Sequence, residues 1–448
     1  MVANRLPVMR TENGWKTSPG GLVSAVTPIV AETNGTFVGW TGIADDTPKP
    51  FEHEGIRLQP VGLSQQEIDD YYLGFSNGTL WPLYHDAIRP PEIHRHWWRP
   101  YVTINQRFAH AAANALEPGD AAWVHDYQLH LVPDILRQLR PDVSIGFFLH
   151  IPFPPIEILA RLPWRRQLLE GLLGADVVAF QSRLARHNFY RSARAFAGAT
   201  GTPRTLEVGN RTVRLMTSPI SIDVDRYASE AAAPATGRIA ETLRRNLGSP
   251  RKVILGVDRL DYSKGIDVRL KAFDTMLENH PEAVDSVVFV QVAAPSREGV
   301  DDYAAMRAEV EGLVGHINGQ RGALGLVPVH YLYGSLDFKD LVAWYRAADV
   351  MCVTPFRDGK NLVAKEYVAS RITNDGVLIL SEFAGAAEQL REALITNPYD
   401  ADRLAEIMWQ SVTMDLDEQV ARMRAMRRQL NRNTVFDWAR KCIEAIEA

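Results

Sequence analysis

At 448 residues the chain exceeds what one ordinary core holds, and two domains of roughly 200 residues each are the natural expectation. Hydrophobic residues at 46% and charged ones at 23% exclude long disorder, and a net charge of −5 excludes the basic face that a nucleic-acid surface needs. Any anionic ligand must then be met by a few local Arg and Lys side chains. Cys352 and Cys442 are the only cysteines, so a reducing compartment without a disulfide frame is expected. No signal peptide is read before Val2, and no apolar run approaches the ~20 residues of a membrane helix, so the expectation is a soluble cytoplasmic protein.

In chain order, the first strand is read at Met1–Asn4, which leaves room for a few native residues before Met1. Ser18-Pro19-Gly20-Gly21-Leu22 follows. Paired glycines there would let the backbone approach a phosphate closely, with an ordinary surface turn as the plain alternative. A strand is expected at Thr36–Trp40. Phe75–Asp86, with Tyr72 before it and Trp81 inside it, offers ring faces to a sugar acceptor, or else is core aromatics under a loop. Its Asn77-Gly78-Thr79 sequon would not meet the glycosylation machinery in a cytoplasmic chain. A helix over Tyr101–Leu116 sets Ile104, Phe108, Ala111, Ala112 and Ala115 on one face.

Strands are next expected at Ala121–Val124, Ser144–Leu149 and Val177–Gln181. Asp126 and His150 come directly after the first two, where they could contact sugar hydroxyls or a reacting oxygen. A structural histidine is the plain alternative for His150, against which stand the apolar strand beneath it and the rigid Pro152 and Pro154 beside it. Further strands are expected at Val253–Val257, Val287–Val292, Val329–Tyr333, Val350–Val353 and Val377–Leu380, with helices at Ile266–Glu278 and Tyr303–Gly319. Such alternation means parallel sheets covered on both faces. It occurs twice, giving an α/β chain of two Rossmann-like domains, 1–228 and 229–432, with a C-terminal helix over 433–448 packing back on the first. Ligands of such sheets lie beyond the carboxyl ends of the strands. The polar groups there are therefore expected to face one another across an inter-domain cleft.

The second half is the more informative. Gly256–Gly265 places Arg259 and Lys264 in a tight turn after a strand. Thr354–Arg371 puts Asp358 and Gly359 at the mouth of a helix, with Glu366 about two turns further in. Two cations, a helix N-terminus and a buried acid can hold a sugar diphosphate without a metal: cations neutralise phosphate, the free N–H groups point at it, and the acid takes hydroxyls. This reads as the donor site of a nucleotide-sugar glycosyltransferase. A surface salt-bridge cluster with Asp258 and Asp261 is the plain alternative for Arg259 and Lys264. Metal readings are weak. Asp223-Val224-Asp225, Asp415-Leu416-Asp417 and the His94/His96 pair imply no third ligand, and they read as solvated loop charges. Gly359-Lys360 is followed by Asn361, so it is no Walker loop.

Over essentially its whole length the chain resembles the trehalose-6-phosphate synthases, a retaining glycosyltransferase family of GT-B fold. The resemblance is carried by Asn4-Arg5, Gly20-Gly21-Leu22, Tyr72 with Phe75–Pro82, His125-Asp126-Tyr127, Gly146–Pro154, Arg259–Gly265, Pro295–Arg297 and Arg357–Tyr367. It implies transfer of glucose from a nucleotide diphosphate donor to the anomeric oxygen of glucose 6-phosphate, with no cofactor and no metal. It also implies roles. Arg259 and Lys264 hold the donor diphosphate beside Gly21, Asn361 and Leu362 offer backbone N–H groups, and Glu366 binds the ribose. Asp358 and His150 orient the transferred glucose, and Asp126 holds the acceptor near the reaction centre. Arg5, Tyr72, Trp81, Tyr127 and Arg297 make the acceptor pocket. Lys360 departs from the family, which more often has Met there; it is either a cation altering donor affinity or a side chain in solvent.

The nucleotide base stays open, with UDP-glucose favoured over GDP- or ADP-glucose. Competing readings are a synthase with another acceptor, a pseudo-glycosyltransferase, a silent sugar-phosphate sensor and a pyridoxal-dependent phosphorylase. The sensor should have lost donor residues, and no lysine is singled out for a Schiff base. The partners expected are small-molecule substrates, not nucleic acid or membrane. A homo-oligomer stays open, since no sustained heptad stands out.

Overall fold

Val, Ile, Leu and Phe cluster in short runs that helical segments separate, and each run forms a strand buried on both faces. The structure, a computed structural model, describes residues 1–12, 14–18, 26–27, 30–31, 33–295 and 301–448. By its contacts the chain divides into one unit of Met1–Ile220 with Val435–Ala448, and a second of Ser221–Thr434.

The first unit holds β1 (Val2–Arg5), β2 (Val8–Thr11), β3 (Gly14–Thr17), β4 (Thr36–Trp40), β5 (Phe51–His53), β6 (Ile56–Pro60), β7 (Ala121–His125), β8 (Ser144–Leu149), β9 (Val177–Phe180), β10 (Thr200–Thr202), β11 (Thr205–Val208) and β12 (Arg211–Thr217). Its sheet runs β10-β11-β12-β9-β8-β7-β1-β4-β6-β5. The centre from β12 to β6 is parallel, while β5, β10 and β11 pair antiparallel at the two edges. The edge strands and the β2–β3 hairpin went unread because they are short and partly exposed, with no continuous apolar run to mark them. The final helix, Val435–Glu447, lies on this sheet. Trp438 is fully buried, with its ring centroid 5.1 Å from those of Trp123 on β7 and Phe148 on β8.

Two helical segments differ from their sequence reading. Arg95–Ala115 begins before Tyr101, where the periodic pattern places its start, and runs through Pro100. The aromatic stretch is not a loop. Ile68–Leu80 is a continuous π-helix, followed by a short α-helical turn over Trp81–Tyr84. Gly74 and Gly78 face the Trp97 indole so closely that a Cβ at Gly74 would lie 2.6 Å from the ring, so glycine is what lets the two helices meet.

The second unit holds β13 (Lys252–Arg259), β14 (Val287–Ala294), β15 (Val329–Tyr333), β16 (Val350–Val353), β17 (Val377–Ser381) and β18 (Leu394–Thr396). They form an all-parallel sheet in the order β15-β14-β13-β16-β17-β18. Both Asp-x-Asp pairs lie at helix starts rather than in loops. Asp223 accepts from Arg226 N at 3.0 Å as an N-cap, and Asp415 and Asp417 lead the helix Leu416–Asn431.

Truncating Trp438 would remove the largest side chain holding the terminal helix to its sheet. Trp438→Ala should cost about 3–5 kcal/mol in urea unfolding and expose the last helix to limited proteolysis. A loss below about 1 kcal/mol would show that the helix contributes little to this unit's core.

Candidate active site

In the first unit the polar groups gather at the carboxyl ends of four adjacent strands, β8, β7, β1 and β4. Arg5 ends β1, and its guanidinium lies over the Trp40 ring at 4.6 Å, with Trp40 ending β4. Tyr72, on the π-helix, meets Trp40 edge-on at 5.8 Å. Trp81 and Tyr127 are buried, their rings 5.7 Å apart, and the Tyr127 hydroxyl donates to Asn77 Oδ1 at 2.7 Å. Asn77 also donates to Tyr72 O at 2.7 Å, so the sequon asparagine is engaged at both ends of its amide.

Asp126 follows β7 at φ 74°, ψ 171°, a conformation that is essentially glycine-only and costs a non-glycine residue about 1–3 kcal/mol. Its surroundings hold it there. The Tyr101 hydroxyl donates to Tyr127 O at 2.8 Å, Asn105 Nδ2 donates to Gln128 O at 3.0 Å, and Asp126 N donates to Phe148 O at 2.9 Å. The strained turn aims the carboxylate at the next strand end, where Asp126 Oδ1 accepts from His150 N at 3.1 Å. His150 in turn meets fully buried His125, with His125 Nδ1 and His150 Nε2 2.9 Å apart. Burial pushes the His150 imidazole down to about 3 and, together with His150, holds His125 well below its usual range, so both rings are neutral at pH 7.

In the second unit the corresponding ends belong to β13 and β16, which are neighbours. Arg259 ends β13 and is exposed. The turn after it is capped by Asp261, which accepts from Ser263 N at 2.9 Å and from the Tyr303 hydroxyl at 3.1 Å. Lys264 donates from Nζ to Asp358 Oδ2 at 2.7 Å. Gly265 then sits at φ 63°, where a Cβ would lie 2.5 Å from Thr354 O. The helix starts later than the sequence suggested. Leu362–Ser370 is capped by Asn361 at φ 68°, whose Oδ1 accepts from Ala364 N at 3.2 Å, so Asp358 and Gly359 lie in the preceding turn. Asp358 braces that turn by accepting from Lys360 N at 3.3 Å and Asn361 Nδ2 at 3.2 Å. Glu366 is buried behind the helix mouth and receives the Tyr345 hydroxyl at 2.7 Å; burial raises its carboxyl above the usual range.

Lys360 is neither in solvent nor loose. It is 3% exposed, and its Nζ donates to Gly385 O at 3.1 Å, tying the Asp358 turn to the next loop. The sequence reading missed Arg269, which is fully buried. Its guanidinium donates to Asp258 Oδ2 at 2.6 Å, Gln291 Oε1 at 3.0 Å, Thr354 Oγ1 at 2.9 Å and Lys264 O at 3.3 Å. Its signal was present: an arginine among Ile266, Leu270 and Phe273 on the apolar face of a helix. His125 and Trp40 were missed as well, each an end-of-strand residue behind one already singled out. Gly21, with its neighbours Gly20 and Leu22, and Arg297 lie outside the described residues. A cavity of about 490 Å³ lined by Val2, Thr36, Ala121 and Ile446 opens at the amino ends of the first sheet's strands, away from these groups.

Two strand-end clusters, one aromatic with Arg5 and Asp126 in it, one holding Arg259, Lys264 and a helix N-terminus, can bind a sugar and a phosphorylated ligand. That defines a sugar-transferring enzyme on an α/β frame, and the comparisons agree. The model of glycosyltransferase family 20 matches residues 1–448. The trehalose-6-phosphate synthase of Mycolicibacterium smegmatis is 48% identical over 462 residues, covering 100% of this chain and 92% of that protein. Among solved structures, the UDP-forming α,α-trehalose-phosphate synthase of Burkholderia vietnamiensis superposes with a TM-score of 0.94 at 35% identity, covering 100% and 96% of the two chains. That of Burkholderia xenovorans in complex with glucose 6-phosphate gives 0.93 at 36% identity, covering 100% and 99%. The chain belongs to glycosyltransferase family 20 and is an enzyme of its trehalose-6-phosphate synthase type, with the GT-B fold of those relatives. Among the described residues, no helix is long and apolar enough to cross a membrane.

The strain at Asp126 is measurable. Asp126→Ala keeps the disfavoured backbone and loses the carboxylate, whereas Asp126→Gly loses the carboxylate and the strain. Chemical denaturation should therefore find the glycine variant about 1–2 kcal/mol more stable than the alanine variant, and equal stabilities would refute strain there. Lys360 predicts a pH effect. Burial lowers its ammonium from 10.5 to about 7, so between those values the unfolded chain binds more protons than the folded one. Its stability contribution is full above about 10.5 and is lost as pH falls through about 7. From pH 7 to 9 the wild type should gain roughly 2 kcal/mol relative to Lys360→Met, and parallel stability curves would show that the ammonium is solvated.

Proposed function

We propose that the chain transfers glucose from UDP-glucose to the anomeric oxygen of glucose 6-phosphate with retention of configuration, giving α,α-trehalose 6-phosphate and UDP. The observation that carries the donor half is the Lys264–Asp358 pair, 2.7 Å long, set between Arg259 at the end of β13 and the N-terminus of Leu362–Ser370. An incoming diphosphate would draw the Lys264 ammonium partly from its carboxylate and find first-turn N–H groups at the Asn361–Leu362 corner. Freed of that cation, Asp358 would accept hydrogen bonds from hydroxyls of the transferred glucose, and Glu366 from the ribose. Gly21 is assigned beside the diphosphate.

Arg5, Tyr72, Trp81, Tyr127 and Arg297 are assigned to the acceptor, with the arginines on its 6-phosphate. His150 takes a hydroxyl of the transferred glucose, and Asp126 holds the acceptor near the reaction centre. In the transfer, the bond from the anomeric carbon to the diphosphate oxygen breaks as the bond to the acceptor oxygen forms on the same face. The acceptor's hydroxyl proton goes to the departing phosphate oxygen, so no base of the enzyme is needed. The protein's part is to stabilise charge developing on the leaving diphosphate. With cations and a helix end in that role, the reaction runs without a divalent metal.

The deciding experiment supplies glucose 6-phosphate with UDP-, GDP- or ADP-glucose and follows product by mass. Trehalose 6-phosphate from UDP-glucose, undiminished by EDTA, is expected; product from GDP- or ADP-glucose alone would correct the base. No product from any donor would leave the silent sensor. Arg259→Ala should retain the fold and lose at least tenfold in rate, since a hydrogen bond to a charged group contributes roughly 1.5–3 kcal/mol.

A further inference from the structure

The sequence draws attention to His150 and gives His125 no role. In the structure they are one unit. His125 ends β7, His150 follows β8, and the two strands are parallel neighbours. The rings are stacked at an interplanar angle of 20°, and a hydrogen bond of 2.9 Å joins His125 Nδ1 to His150 Nε2. Two neutral imidazoles carry one ring N–H each, so only two proton arrangements are open.

In one, His125 Nδ1–H donates to His150 Nε2, and His150 keeps its proton on Nδ1. In the other, His150 Nε2–H donates, and His125 must carry its own proton on Nε2. The two differ in what they leave buried. His125 Nε2 lies inside the protein with no hydrogen-bond partner among the described residues. There the second arrangement would strand an N–H, while the first leaves only a lone pair. Stranded donors are the rarer and costlier defect. The walls are apolar: the Trp123 and Phe148 rings lie 4.5 Å and 6.2 Å from the His125 ring.

We propose that His125 is a positioning residue: by donating from Nδ1 it fixes His150 as the Nδ1–H tautomer and turns that N–H towards a hydroxyl of the transferred glucose. Asp126, holding the His150 backbone N–H, fixes the other end of the same residue. The proposal rests on the reading of His150 as a sugar contact, but its tautomer can be tested without substrate.

Long-range proton–nitrogen spectra of the full chain labelled with 15N-histidine resolve which ring nitrogen carries the proton, and the His150 signals are assigned by their loss in His150→Asn. The expected result is a protonated Nδ1 and a bare Nε2 on His150. His125→Leu should mix the tautomers and lower kcat/KM for the nucleotide sugar about tenfold, the size of one lost hydrogen bond, with KM for the acceptor unchanged. His125→Asn, whose amide N–H sits where Nδ1–H was, should restore both. A protonated Nε2 on His150 in the wild type overturns the proposal, and so does an Nδ1–H tautomer that survives in His125→Leu. If the leucine variant does not fold, the wild-type and asparagine spectra decide alone. Mixed tautomers with undiminished turnover would overturn the link to catalysis. Full activity in His150→Asn would instead overturn the sugar-contact reading itself, leaving the tautomer result standing.

Discussion

The second unit depends on one buried cation. Arg269 is fully inside, and its guanidinium gathers the end of β13 through Asp258, β14 through Gln291, the turn after β13 through Lys264 O, and the strand exit after β16 through Thr354. An unpaired charge there would be costly, and breaking such a pair removes about 3–5 kcal/mol, so these partners move together or not at all. The backbone is cut to fit it. A Cβ on Gly256 would lie 2.4 Å from both Arg269 Nη1 and Gln291 Oε1. Lys264 stands where it does because its own carbonyl is held from below.

The first unit ties its strand ends largely through neutral groups, with Arg5 lying on the Trp40 ring beside them. Its strand ends are tied by hydroxyls, an amide and imidazoles: Tyr71 to Asn4 at 2.8 Å, Tyr101 to Tyr127 O at 2.8 Å, His125 to His150 at 2.9 Å. This network keeps Asp126 in a backbone conformation that it would leave if released. The two clusters thus differ in electrostatic character: ion pairs run through the second, while aromatic rings and neutral imidazoles surround Arg5 and Asp126 in the first. A diphosphate calls for cations and a helix terminus. Hydroxyls call for neutral donors and acceptors in fixed orientation, and burial keeps both histidines neutral.

Much of this was legible from residue order. Runs such as Phe147–Leu149 and Val350–Val353 can only be buried strands, and their regular alternation with helices dictates parallel sheets. Arg259 and Lys264 could be singled out because they follow an apolar strand in a tight turn, although a salt-bridge cluster was an open reading and Lys264 does pair with Asp358. Less legible was anything whose meaning lies across the chain. The π-helix over Ile68–Leu80 carries two glycines and an asparagine, residue types that disfavour a helix, and it is Trp97, on another helix, that makes Gly74 and Gly78 sensible. For Lys360 the residue order left open a cation beside the donor or a side chain in solvent, and it is the Gly385 loop that covers it.

What the sequence determined by itself is local and periodic: strand and helix placement, the α/β class, and the residue types gathered just after the strands. Hydrophobic pattern and turn chemistry act over a few residues, so they can be read from a few residues. The tertiary structure alone decided the pairings that convert those residues into a site: Arg269 with Asp258, Lys264 with Asp358 across 94 positions of chain, His125 with His150 across 25. A buried charge or an imidazole proton is settled by whichever group burial brings within about 3 Å, and sequence distance places no limit on which group that is.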